Sequence, residues 1–187
     1  LELSPESRIL YYTLLSGLLA DAVDLSALSS GLSVRRDDPL LQSLVKMTDE
    51  WVEREEAETR LRQEYANLFL LPGGVKPYES VYRGSEPMLM QQPWVDVKRF
   101  YRRCGWHLDE SALPEDHVSV ELSFMAHLLS DGEHDESSEF FHQHLNQWIP
   151  QLLRDIAENR YADFYQSVTD YGLAFLCAET EICEGKK

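Results

Sequence analysis

Apolar residues recur along this chain at intervals of three and four rather than two, and that spacing constrains the fold more than any other feature. Val, Ile and Thr never gather into alternating runs bounded by tight turns, so an all-α fold is expected. Ser4-Pro5 opens a first helix through about Ala20, with Ile9, Tyr12, Leu15 and Leu19 on one face. Asp38-Pro39 starts another, in which Leu40, Leu41, Leu44, Val45 and Met47 recur. The mixed charges of Glu53–Arg62 pair Glu56 with Arg60 and Glu58 with Arg62 at i,i+4, the pattern of a solvated helix face.

The strongest interruption is Leu71-Pro72-Gly73-Gly74-Val75-Lys76-Pro77. After it Tyr78–Gly84 forms an aromatic-rich connector, and Pro87 and Pro93 keep the chain irregular until Trp94–Cys104 resumes a helix. Aromatics on a connector either pack against the body or await a ligand; packing ranks first. The expected layout is a single helical domain over residues 1–187, with a connector at about 71–93 between its N-terminal and C-terminal portions. Helical spacing returns over Val118–Leu129. A polar turn follows at Asp131–Asp135, then Phe140, Phe141, His144, Leu145 and Trp148. A further segment begins near Pro150 and runs past Phe175 to a frayed Glu184–Lys187 tail.

A chain of 187 residues can bury about two-thirds of its surface in one core. Its net charge of −16 disfavours nucleic acid and anionic lipid. That acidity suits a cationic partner, or simply solubility. Cys104, Cys177 and Cys183 are odd in number and lack CxxC spacing, as expected of reduced cytoplasmic thiols. No run approaches the ~20 apolar residues of a membrane span, and the opening Leu1–Glu6 lacks the basic start of a secretory signal.

The residues that most resemble a site are Leu113-Pro114-Glu115-Asp116-His117-Val118. Pro114 marks a helix start, and Glu115 and Asp116 then place negative charge at the positive end of the helix dipole. Asp116 capping its own helix is one reading, and on it Asp116→Ser is benign. His117 and Glu121, four apart, would share a face and suit acid–base or metal chemistry; a small metal-dependent hydrolase using Asp116, His117 and Glu121 is the alternative function. A binding edge is the third reading. The sequence contains no HExxH, P-loop, GxGxxG or GxSxG, and Cys104 has no identifiable partner, so no catalytic residue, metal ligand or cofactor is assigned.

Pro77-Tyr78-Glu79-Ser80-Val81-Tyr82, followed about thirty residues later by Leu113–Val118 and Glu121-Leu122-Ser123-Phe124-Met125, resembles the TorD/DmsD/NarJ family of redox-enzyme maturation chaperones. Phe140-Phe141-x-x-His144-Leu145-x-x-Trp148-x-Pro150 and Ala162-Asp163-Phe164-Tyr165 extend the likeness over about Glu64 to Phe175. The resemblance implies a cytoplasmic all-helical bundle that is not an enzyme. It would bind the twin-arginine signal peptide and the apo catalytic subunit of a molybdenum-cofactor oxidoreductase of the TMAO/DMSO reductase class, without inserting into the membrane. Carried over by motif, Tyr78, Ser80, Tyr82, Leu113, Pro114, Asp116 and His117 line the peptide groove, and Glu115 and Glu121 add negative charge. Asp116 is the expected acceptor for a leader arginine, and His117 a source of pH sensitivity. The family includes monomers and homodimers formed by domain swapping, for which the Leu71–Pro93 connector is the natural hinge.

Overall fold

The computed structural model describes residues 3–108 and 113–185, which are helical, with no strand among them beyond one isolated bridge. Helix α1 (Pro5–Ala20) begins as the sequence indicates: Ser4 Oγ accepts the Ser7 N–H at 3.2 Å, and Tyr12, Leu15 and Leu19 are buried. Helix α2 (Leu25–Ser33), which the apolar spacing did not single out, is capped by Asp24, whose carboxylate accepts the Ala27 N–H at 2.9 Å. Asp38-Pro39 does not start a helix. Asp38 sits in a turn, accepting the Leu40 N–H at 3.1 Å and the Tyr11 hydroxyl at 2.6 Å, and α3 (Gln42–Val52) begins beyond it.

The charged run is likewise not one helix face. Glu56 adopts φ +58° and breaks it ahead of α4 (Ala57–Tyr65). The Glu58 carboxylate accepts the Leu25 N–H at 3.1 Å, while Arg62 Nε reaches the Glu58 backbone carbonyl at 3.2 Å, so the charges serve backbone groups instead of each other. Helix α4 widens into a π stretch, Ala66–Leu70, and stops. At the break the Val75 N–H reaches the Leu68 carbonyl at 2.6 Å, an approach that needs Gly74, where a Cβ would stand 2.5 Å from Leu68 O.

The connector holds a short helix, α5 (Glu79–Arg83), where the sequence suggested irregular chain, and α6 (Gln92–Arg103) follows with Pro93 in its first turn. Helix α7 (Val118–Ser130) starts beyond Pro114, which lies in the preceding turn with its carbonyl accepting the His117 N–H at 3.0 Å. Helix α8 (His134–Phe140), a π stretch (Phe141–Leu145) and α9 (Asn146–Ala157) run on without a gap, so Pro150 lies inside a helix and does not open one. The wide turn just before it loosens the ladder where proline offers no donor. Helix α10 (Phe164–Gly185) continues past the expected fraying point at Glu184; Lys186 and Lys187 lie outside the described residues.

The two sides of the connector share a core. Helix α1 packs along α7, with Ser16 Oγ donating to the Ser119 carbonyl at 2.7 Å, and α10 packs on α3 and α9. At Gly172 an added Cβ would meet Leu153 at 2.8 Å and Leu15 at 3.3 Å, so α1, α9 and α10 close on a residue with no side chain. Arg8 of α1 forms a buried ion pair with Glu179 of α10. Tyr12, Phe124, Phe140, Phe141, Trp148, Phe164 and Phe175 fill the interior, each fully buried ring contributing about 2–3 kcal/mol of transfer free energy.

Candidate functional site

Tyr78 and His117 form the isolated antiparallel bridge: the Val118 N–H donates to the Pro77 carbonyl and the Glu79 N–H to the Asp116 carbonyl, both at 2.9 Å. This bridge joins the two segments that the sequence marked separately. Asp116 Oδ2 then accepts the Ser80 N–H at 3.0 Å, so Asp116 caps α5, across 36 residues, and not the helix that follows it. It is fully buried, and Oδ1 has no partner among the described residues. Burial raises its pKa against the pull of the Ser80 hydrogen bonds. Ser80 Oγ in turn accepts the Gln91 N–H at 3.2 Å, and the Gln91 amide reaches the Met88 carbonyl at 2.9 Å, fixing the loop between α5 and α6.

His117 is the N-cap of α7, with extended backbone. Its Nδ1 accepts the Ser119 N–H at 3.2 Å and lies 2.8 Å from Ser119 Oγ, and Tyr78 packs edge-on against its ring at 5.0 Å. Burial lowers its pKa to about 4, which leaves the ring neutral around pH 7 and moves any pH response of this residue to acidic conditions. Glu121 points elsewhere: Oε2 accepts the Trp148 Nε1–H at 3.0 Å. Its burial, together with the Glu79 carboxylate, raises its pKa well above the ordinary carboxylate value, and with no solvent-exposed surface it presents no carboxylate to a groove. Asp116, His117 and Glu121 therefore each hold a different structural partner. Among the described residues no group of three His, Cys, Asp or Glu side chains is placed to hold a metal ion.

Glu79, His144 and Trp148 complete this buried cluster without having been singled out as site residues. Glu79 is wholly buried between Arg83 and His144, whose Nδ1 lies 3.0 Å from Oε2. The available signal was the presence of all three in the motifs that carried the resemblance.

The three carboxylates expected to give the groove its negative charge, Glu115, Asp116 and Glu121, do not share the surface. Of the three, only Glu115 reaches solvent. It accepts the Trp94 Nε1–H at 2.7 Å and pairs with Lys98 Nζ at 2.9 Å. Burial pushes its pKa up, but Lys98, its own backbone N–H and Trp94 together hold it below the usual range. Leu113 is exposed and Pro114 half-buried. Tyr78 and Tyr82 are half-buried, and Tyr82 donates to Asp155 at 2.9 Å while leaning on Trp148 at 5.5 Å. Met88, Leu89 and Met90, with Val95 at the start of α6, are exposed as well, a feature composition alone did not flag.

The described residues thus form an all-helical body whose two motif segments are joined by a buried polar cluster. The chain belongs to the nitrate reductase delta subunit family, whose sequence profile matches residues 35–154. It is 26% identical to the chaperone protein TorD of Vibrio atlanticus over 79% of this chain and 75% of that one, and 24% identical to TorD of Shewanella piezotolerans over 94% and 92%. Its fold is like that of a protein described as a redox enzyme maturation protein from Archaeoglobus fulgidus, with a TM-score of 0.65 and 17% identity over 96% of this chain and 98% of that one. These curated relatives are chaperones by name, and the structural neighbour is named for redox-enzyme maturation. No helix among the described residues is long and apolar enough to cross a membrane.

Proposed function

We propose that this protein is a cytoplasmic chaperone that binds the twin-arginine signal peptide and apo catalytic subunit of a molybdenum-cofactor oxidoreductase, and that it performs no catalysis. The observation that carries this reading is that Glu115 meets Trp94 and Lys98 of α6, the helix that bears exposed Val95 and follows exposed Met88, Leu89 and Met90 in the chain, while exposed Leu113 lies two residues before Glu115. A twin-arginine leader has a basic end and an apolar stretch. Methionine side chains adapt to varied apolar partners, and an arginine replacing Lys98 on Glu115 gains a two-pronged contact that lysine cannot make. Asp116 is a positioning residue on this reading: it holds the Leu113–Glu115 turn against α5, while Tyr78, Ser80, Tyr82, His117 and Glu121 shape the surface from beneath. The separate structural partners of Asp116, His117 and Glu121 support a binding role over a hydrolase. The Arg8–Glu179 pair supports reading residues 1–187 as one domain with a connector at 71–93.

Calorimetric titration with a synthetic leader peptide tests the proposal. Binding is expected in the range of about 1–10 μM at low salt, weakening with ionic strength. Changing both leader arginines to glutamine, Glu115→Gln, or Met88→Ser with Leu89→Ser should each weaken it by about tenfold. Absence of binding at low salt overturns the reading, and sedimentation of the complex decides between monomer and swapped homodimer.

A further inference from the structure

Against a net charge of −16, three arginines converge on one cavity of about 500 Å³. Arg99 and Arg103 lie one turn apart on α6, and Arg83 comes from the last turn of α5. The floor is built from buried side chains, Phe100 and His144. Arg83 is fixed by the buried Glu79 carboxylate and donates to the Gln143 carbonyl at 2.8 Å. Arg103 lies over the Phe100 ring at 4.1 Å and forms a fork with Glu139 at 3.1 and 2.5 Å. Arg99 reaches Asp96, the acid that lines the cavity, only at 3.4 Å.

These pairs differ in strength. The Arg99 and Arg103 side chains are 74% and 50% exposed; an ion pair as exposed as Arg99–Asp96 contributes about 0–1 kcal/mol and yields readily to an incoming anion, whereas the forked Arg103–Glu139 pair is the stronger and Arg103 must exchange one fork for another. Arg83 is held at the cavity by a partner without solvent contact.

We propose that this cavity binds a compact, multiply charged oxyanion of the phosphate class, with Arg99 and Arg103 supplying the charge and forked contacts and Arg83, held in place by Glu79, a further N–H donor. The volume lies within the roughly 300–1,000 Å³ typical of small-molecule sites. A long acidic peptide would meet the repulsion of this acidic chain along its whole length, whereas a compact ion within a Debye length feels chiefly the local cations.

The test is calorimetric titration of the full chain at low ionic strength with pyrophosphate, inorganic phosphate and hexaglutamate. Pyrophosphate should bind one to one and at least about tenfold more tightly than phosphate. Arg99→Gln with Arg103→Gln should weaken pyrophosphate by about tenfold or more, with the circular dichroism unchanged, while Arg35→Gln with Arg36→Gln, the same charge change outside the cavity, should alter it by less than about twofold. Arg83 is left intact because it pairs with buried Glu79. The proposal is overturned by no pyrophosphate binding, by no preference over phosphate, by equal losses in the two double variants, or by tighter binding of hexaglutamate, which would assign the cavity to a protein partner.

Discussion

The Asp116 carboxylate meets the Ser80 N–H at 3.0 Å, so the second acid after Pro114 caps a helix 36 residues earlier in the chain. A local cap and a long-range cap are separable by mutation. Asp116→Ala strands the Ser80 donor in the interior and should cost about 1–3 kcal/mol of unfolding free energy. Asp116→Ser would rescue a cap on its own helix. Here its hydroxyl is one bond short of the Ser80 N–H, and urea denaturation should find it nearly as destabilised as the alanine variant. Asp116→Asn keeps an acceptor in place and should remain close to the parent.

His117 gives the fold a pH dependence of definite sign. Its folded pKa is depressed to about 4 from an ordinary value of 6.5. The unfolded chain therefore binds the proton first, and this contribution is fully present above about pH 6.5 and is lost as pH falls toward about 4. The loss should reach at most about 3 kcal/mol. His117→Asn retains an N-cap acceptor for Ser119 and has nothing to titrate, so its urea midpoint should fall less than the parent's between about pH 7 and pH 5. Identical slopes would show that His117 opens to solvent.

The helical class, the first helix and its Ser4 cap, and the break at Leu71–Pro77 were legible because each follows from local rules of spacing, capping and backbone freedom. Helix α2 escaped notice because only Leu25, Leu28 and Leu32 of its short length are buried. Pro150 was misleading since proline signals a start only where the preceding turn is absent; the π stretch at Phe141–Leu145 supplies that turn. At the candidate site, the participating segments were legible through motif resemblance, but the directions of their side chains were not. Asp116 turns to α5, and Glu121 to Trp148, through tertiary contacts that no i,i+4 rule describes.

Glu64 illustrates the same point in the core. Its carboxylate accepts the N–H groups of Asp163, Phe164 and Tyr165 at 2.8, 3.1 and 2.9 Å, closing the start of α10 from the end of α4. Burial raises its pKa despite those three bonds. Glu64→Ala leaves the donors unmet and should cost about 2–4 kcal/mol. Glu64→Gln keeps one acceptor oxygen and should lose less. Native-state hydrogen exchange at Phe164 and Tyr165 is the sensitive readout: both amides should lose protection in the alanine variant, and unchanged protection would mean that another group replaces the cap.

The Arg8–Glu179 pair predicts a thermodynamic cycle of a particular shape. Both side chains are buried, in the first and last helices, and removing either leaves a lone interior charge. Arg8→Met or Glu179→Leu alone should therefore destabilise by about 3–5 kcal/mol. The double change removes both desolvation penalties and replaces the charges with apolar groups of similar size, so its stability should return to within about 1–2 kcal/mol of the parent. Additive losses, measured by urea unfolding of all four proteins, would mean that water reaches the pair and that the closure of α1 onto α10 rests on Tyr12 and Phe175, whose rings meet edge-on at 4.7 Å.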